Sequence, residues 1–156
     1  RTLAYEWLTP EVCPQGAILA ATELGIGLLT TCQRDWHWKL EGGTALRACI
    51  SGQLEGRAVV LAGGADGFIA AYDLNTGQPL KRAYLGAPVV GLAQTADGGL
   101  LVATRAGITV LKADWQTAAH NAVPAQKMLP LDHARVLIVR DDQTLEVLSL
   151  AGAVES

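Results

Sequence analysis

Nucleophilic catalysis needs a thiol or hydroxyl with a base in hydrogen-bond reach. The closest pairing of that kind in the sequence is Cys32 with His37, too loosely spaced to define a dyad. Cation binding needs converging carboxylates, and Asp141-Asp142 beside Asp132-His133 are the candidates. Adjacent carboxylates in a turn are ordinarily solvated, so no metal is expected there. A phosphate cradle needs a Gly-rich loop that ends in Gly-Lys-Ser/Thr and opens a helix. Ala62-Gly63-Gly64-Ala65-Asp66-Gly67 has the glycines without that ending, and a hairpin turn accounts for it. Cysteines stand only at 13, 32 and 49 and histidines at 37, 120 and 133, with no CxxC pair, so zinc lacks a ligand set. The thiols read as buried and free, which fits a reducing compartment such as the cytoplasm. No catalytic residue, metal or cofactor follows from these patterns, and a non-catalytic protein is the expectation.

Trp36-His37-Trp38 is the most unusual local feature. Two indoles two residues apart on a regular strand point to one face, with His37 on the other. Such a pair is either packing inside the fold or an aromatic hot spot for a protein partner. These three residues are the candidate partner-binding site.

Bulk composition restricts the classes further. The chain has 156 residues, 50% of them hydrophobic, with 17 Gly and only 17% charged residues, so it folds as an apolar, turn-rich protein. A net charge of -3 leaves no basic stripe for nucleic acid. Lys81 and Arg82 are a small exception, read as two solvated charges on an edge strand. The most apolar stretch, Gly16 to Cys32, is too short and too broken by Glu23 and glycines to span a membrane.

The elements that carry these residues repeat. Ala21-Thr22-Glu23-Leu24-Gly25-Ile26-Gly27-Leu28-Leu29 matches Ala103-Thr104-Arg105-Ala106-Gly107-Ile108-Thr109-Val110-Leu111, two steps of about 41 residues apart. A third copy, Ala65-Asp66-Gly67-Phe68-Ile69-Ala70-Ala71-Tyr72, lies midway, and a looser fourth runs from Arg140 to Leu148. In each, an apolar run meets a polar or Gly turn and a second apolar run follows, which is the grammar of a β-hairpin. The second unit parses into strands Ala45–Ser51, Arg57–Ala62, Phe68–Leu74 and Pro79–Leu85. The third gives Val89–Gln94, Leu100–Thr104, Ile108–Lys112 and a weaker strand near Trp115–His120. Four strands in about forty residues is the period of a propeller blade. Two rivals compete: a buried helix over Ala17 to Thr30, and a plain β-sandwich. Internal similarity favours an all-β propeller with about four four-stranded antiparallel units, approximately 1–43, 44–86, 87–125 and 126–156, in one domain or a propeller fragment.

Ala71-Tyr72-Asp73-Leu74-Asn75-Thr76-Gly77 resembles the end of a PQQ-like propeller repeat, whose pattern is Ala-x-Asp-x-x-Thr-Gly with a Trp four residues on. That last place here is Lys81, so this unit lacks the docking Trp. In the first unit, Trp36 or Trp38 would supply it. The segment also resembles a WD40 repeat, with Tyr72-Asp73 in place of Trp-Asp, although the Gly-His pair is missing. An Asp at 73 closes an Asx turn on backbone N–H groups, and a Gly at 77 supplies the positive φ where the chain doubles back. Asp66, Gly67, Asp73, Thr76 and Gly77 are accordingly structural turn residues.

The resemblance implies a binding platform for protein partners, because loops on a rigid propeller decide what binds. Two alternatives stay open: a regulatory or sensor propeller attached to an enzyme in a longer chain, and a PQQ-dependent dehydrogenase or its remnant. The ring also stays open. It closes as a small four-bladed propeller, is completed by a second copy as a homodimer, or belongs to an excerpt of a longer chain, which the Arg1 start and the weak last unit favour. Thr2–Leu8 is a candidate closing strand for the last blade.

Overall fold

Short runs of β-branched and small apolar residues, punctuated by Asp-Gly, Asn-Thr-Gly and Asp-Gly-Gly, favour strands over helices. The computed structural model describes residues 2–8, 16–23, 25–30, 35–41, 45–132 and 134–149, and every regular element in them is a strand. The first blade comprises β1 (Thr2–Leu8), β2 (Ala17–Thr22), β3 (Gly25–Thr30) and β4 (Asp35–Glu41). The second comprises β5 (Leu46–Leu54), β6 (Arg57–Gly64), β7 (Phe68–Asp73) and β8 (Pro79–Tyr84). The third comprises β9 (Val89–Gln94), β10 (Leu100–Thr104), β11 (Gly107–Leu111) and β12 (Thr117–Asn121). The fourth, among the described residues, comprises β13 (Ala125–Asp132), β14 (Arg135–Arg140) and β15 (Leu145–Ser149). Within each blade, sequence neighbours pair antiparallel.

Both rivals of the propeller fail here. Ala17–Thr30 is a β2–β3 hairpin in continuous register from Ala17↔Thr30 to Thr22↔Gly25. The blades stack in chain order, with innermost strands β1, β5, β9 and β13 side by side, which no two-layer sandwich does.

One expectation needs correction. Thr2–Leu8 pairs with Ala17–Thr22 and is the innermost strand of the first blade, not a strand lent to the last. Burial explains the choice: Leu8 is sequestered with Ala17, Leu19 and Trp38 in the core between blades one and two. The strict alternation assumed across Trp36-His37-Trp38 also fails. A register shift pairs Leu28 with Trp38 but Leu29 with Trp36, so a bulge intervenes.

The core is three apolar sandwiches, one between each consecutive pair of blades. The second strands of the two middle blades contribute to both of their neighbours. In β6, Val59 and Leu61 face blade three, whereas Val60 and Ala62 face blade one. β10 is buried along its whole length for the same reason. Period-two alternation disappears from these strands because both faces are dry.

Candidate functional site

The repeat turns are built as side-chain caps on the backbone. Asp66 Oδ1 accepts the Phe68 N–H at 3.1 Å, and Gly67 sits at φ 86°. Asp73 Oδ1 accepts the N–H groups of Asn75 (2.9 Å) and Thr76 (3.1 Å), Thr76 Oγ1 accepts that of Gln78 (3.2 Å), and Gly77 sits at φ 74°. The Asn75 and Thr76 N–H groups hold the Asp73 carboxyl below the usual carboxylate range, with help from Arg57.

This turn receives Trp38 from the preceding blade. The Trp38 Nε1–H donates to the Leu74 carbonyl at 2.8 Å, and the indole is buried over Gly77. A Cβ on Gly77 would stand 2.7 Å from the indole carbon Cδ2, so glycine is required twice, for φ and for space. Trp38 is thus a blade-to-blade packing residue. The side chains of Trp36 and His37 lie outside the described residues.

Lys81 occupies the equivalent place one repeat later. Its Nζ donates to the Asp114 carbonyl at 2.8 Å and lies 5.3 Å from the Trp115 ring centroid. Trp115 is buried and holds positive φ, 69°, in the third blade's turn. The aromatic ring has changed sides: strand Trp over turn Gly at one interface, strand Lys over turn Trp at the next. Arg82 stacks 3.8 Å from the Phe68 ring centroid, with Asp66 3.8 Å away. Lys81 and Arg82 are therefore engaged within the fold rather than simply solvated.

Where the innermost strands converge lies a cavity of about 630 Å³. All four blades contribute: Tyr5 and Glu6 from β1, Arg47, Cys49 and Ser51 from β5, Gln94 from β9, and Met128 and Asp132 from β13. The exposed inner edge of β5 is covered by its neighbours. Glu6 Oε2 accepts the Ser51 N–H, and Gln94 gives a two-point clasp on Gln53, accepting its N–H at 2.8 Å and donating to its carbonyl at 2.7 Å. An amide side chain thereby imitates a further strand.

Electrostatics here follow burial. Desolvation raises the Glu6 carboxyl above its ordinary value against the opposing pull of its Ser51 hydrogen bonds. Burial and the negative charge of Glu6 push the Cys49 thiol up to about 12, so it stays protonated and inert. Arg47, Asp132 and Tyr5 stay exposed and offer a cation, an anion and an aromatic ring.

The remaining candidates are dispersed. Asp132 and Asp141-Asp142 fall at opposite ends of β14. Asp132 holds Arg135 at 2.8 Å, Asp142 accepts the Thr144 N–H at 2.9 Å, and Asp141 lies 3.6 Å from Arg105. Among the described residues no three His, Cys, Asp or Glu side chains converge to hold a metal. His120 Nδ1 meets the Thr109 hydroxyl at 2.9 Å between β11 and β12. Cys13, Cys32 and the His133 ring lie outside the described residues. The Glu6 and Gln94 clasps had no local signal, since each joins segments more than forty residues apart.

No protein-family model matches the chain, and no curated protein matches it. Solved structures do. BamB from Moraxella catarrhalis, a PQQ-like propeller, is similar at 19% identity and TM-score 0.68 over 98% of this chain and 49% of that one. The Pan2 WD40 domain from Neurospora crassa is similar at 12% identity and TM-score 0.72 over 97% and 49%. The computationally designed Ika4 protein is similar at 15% identity and TM-score 0.73 over 96% and 91%. The chain thus spans about half the length of the BamB and Pan2 chains. At these identities the likeness speaks for fold alone, and with the blade topology it establishes a β-propeller fold.

Proposed function

We propose that this chain is a non-catalytic protein-interaction platform whose binding surface is the channel formed by the innermost strands. The observation that carries the reading is the cavity of about 630 Å³ to which all four blades contribute. Its accessible groups are an aromatic ring (Tyr5), a cation (Arg47) and an anion (Asp132), beside the softer Met128. That mixture of aromatic, Met and Arg chemistry with a polar rim is the composition of protein interfaces. The scaffold beneath is rigid, because apolar sandwiches and the Glu6 and Gln94 clasps lock the inner strands together. Rigid support limits the ordering entropy that a partner must offset.

The test is affinity capture with the purified chain as bait, run beside Arg47→Glu and Tyr5→Ala variants and a control at the remote, exposed turn residue Gln116. The expected result is a protein bound by wild type and by the Gln116→Ala control but lost from both channel variants, with unchanged thermal melts. Equal capture by all four baits would remove the channel as the binding surface.

A further inference from the structure

We infer that the two end blades are the front and back of one unfinished interface, and that a second copy of this chain completes it head to tail. In the second strand of each blade, one repeat position faces the following blade. It is Leu in every case: Leu19, Leu61, Leu101 and Leu137. The first three are fully buried under the next blade, while Leu137 is only half-buried. Its cross-strand neighbours Leu129 and Val147 are 47% and 52% exposed. Among the described residues, the front of the fourth blade therefore carries the same apolar face as the other three, without a cover.

No described residue covers the first blade on its opposite face. The position that faces backwards is buried as Val60, Leu100 and Val136, yet half-buried as Ile18. Trp7, the cross-strand partner of Ile18, is 52% exposed. Exposed apolar rows of this size mark an interface.

The two faces are complementary because they are the two halves of the interface that the chain already makes three times internally. A front that fits a back, on one molecule, gives head-to-tail association, and rotation closes it when the arc is an integral fraction of a ring. The four-bladed arc covers 49% of the length of the longer BamB and Pan2 chains, which leaves room in a propeller of that chain length for one further arc of equal size. Two copies would then form an eight-bladed ring with twofold symmetry, within the usual range of blade numbers. The inference concerns closure alone and stands whether or not the channel binds a partner.

Light scattering on the purified 156-residue chain tests it, with Val147→Glu and Trp7→Lys made separately. Both positions are exposed in the single chain, and thermal melts verify that each variant folds. Wild type should have twice the 16.4 kDa chain mass, each variant alone should have the single-chain mass, and an equimolar mixture of the two should regain the doubled mass. The mixture recovers because one of its two interfaces is wild type on both sides and the other joins Glu to Lys. A wild-type monomer at all concentrations overturns the inference. So does an assembly of any other size, or a dimer that Trp7→Lys leaves intact, since that dimer would be joined front to front.

Discussion

Gly77 and Trp38 form a doubly constrained pair. Gly77→Ala adds a methyl group at positive φ and drives it into the indole. The expected loss is about 2–4 kcal/mol, read as a lower urea midpoint at unchanged slope. Trp38→Ala alone should remove about 3–5 kcal/mol. In the double variant the clash is gone, so the two losses should sum to more than the measured total. Carboxylates give the residue scale a second observable. Asp73, Asp97, Asp132 and Asp142 are all held below the usual range, by the Asn75 N–H, the Thr95 hydroxyl, Arg135 and the Thr144 hydroxyl respectively. A depressed folded-state value means the stabilisation is complete above the unfolded value near 4 and is lost as pH falls through the folded value. Glu6 has the opposite sign: its raised value means burial of the charge opposes folding above that value, and protonation relieves it as pH falls. Melts across pH should therefore gain stability in the mildly acidic range before losing it below about pH 4. Glu6→Gln should abolish the mildly acidic gain and leave the later loss. An unchanged profile in Glu6→Gln would show that Glu6 is solvated in the folded state.

At the level of elements, the Lys81–Trp115 exchange makes its own prediction. Lys81→Trp alone puts two indoles where one fits and should destabilise, whereas Lys81→Trp with Trp115→Gly rebuilds the Trp38–Gly77 arrangement and should recover stability. Melting temperatures of the two variants decide it. The Gln94 clasp predicts a local effect: Gln94→Leu should speed amide hydrogen exchange at Gln53, with little change at strands paired on both sides such as β10. These features also mark where sequence reading succeeds and stops. The strands of blades two and three were legible to within a few residues, because Asp66-Gly67 and Asp97-Gly98-Gly99 fix turns locally and Val59-Val60-Leu61-Ala62 carries a dry-strand composition. The fourth hairpin was fainter because Gln143 takes the positive φ that Gly67 takes in the second, so the glycine signal is absent. A bulge within Trp36–Trp38 leaves no mark in composition. The Lys81–Trp115 exchange departs from the Trp38–Gly77 pattern on both sides at once, and the sequence registers only a missing Trp. Of the channel, the innermost strands of blades two and three were legible, but the convergence of Tyr5, Arg47, Gln94 and Asp132 was not, since it exists only once the blades are stacked.

On the scale of the whole molecule, stability in a stacked-repeat architecture is a sum of repeat and interface terms, so the end blades decide where unfolding starts. Among the described residues, the fourth blade is held on one face, by Ala125, Val136 and Ile138 against blade three, while β15 alternates exposed and half-buried residues. In a single chain β15 should therefore exchange its amides earliest among the described strands that pair with β14-type inner neighbours, and β6 and β10 last. Ring closure by a second copy changes this order, because it covers the front of blade four and the back of blade one together. It also couples folding to association. For a ring of two chains that melts to two unfolded chains, mass action raises the melting temperature by about 2 °C for each tenfold rise in concentration. Val147→Glu should remove that dependence and restore early exchange in β15 at every concentration. A melting temperature independent of concentration in wild type, with β15 exchanging early throughout, would mean that the four blades stand alone with both end faces in water.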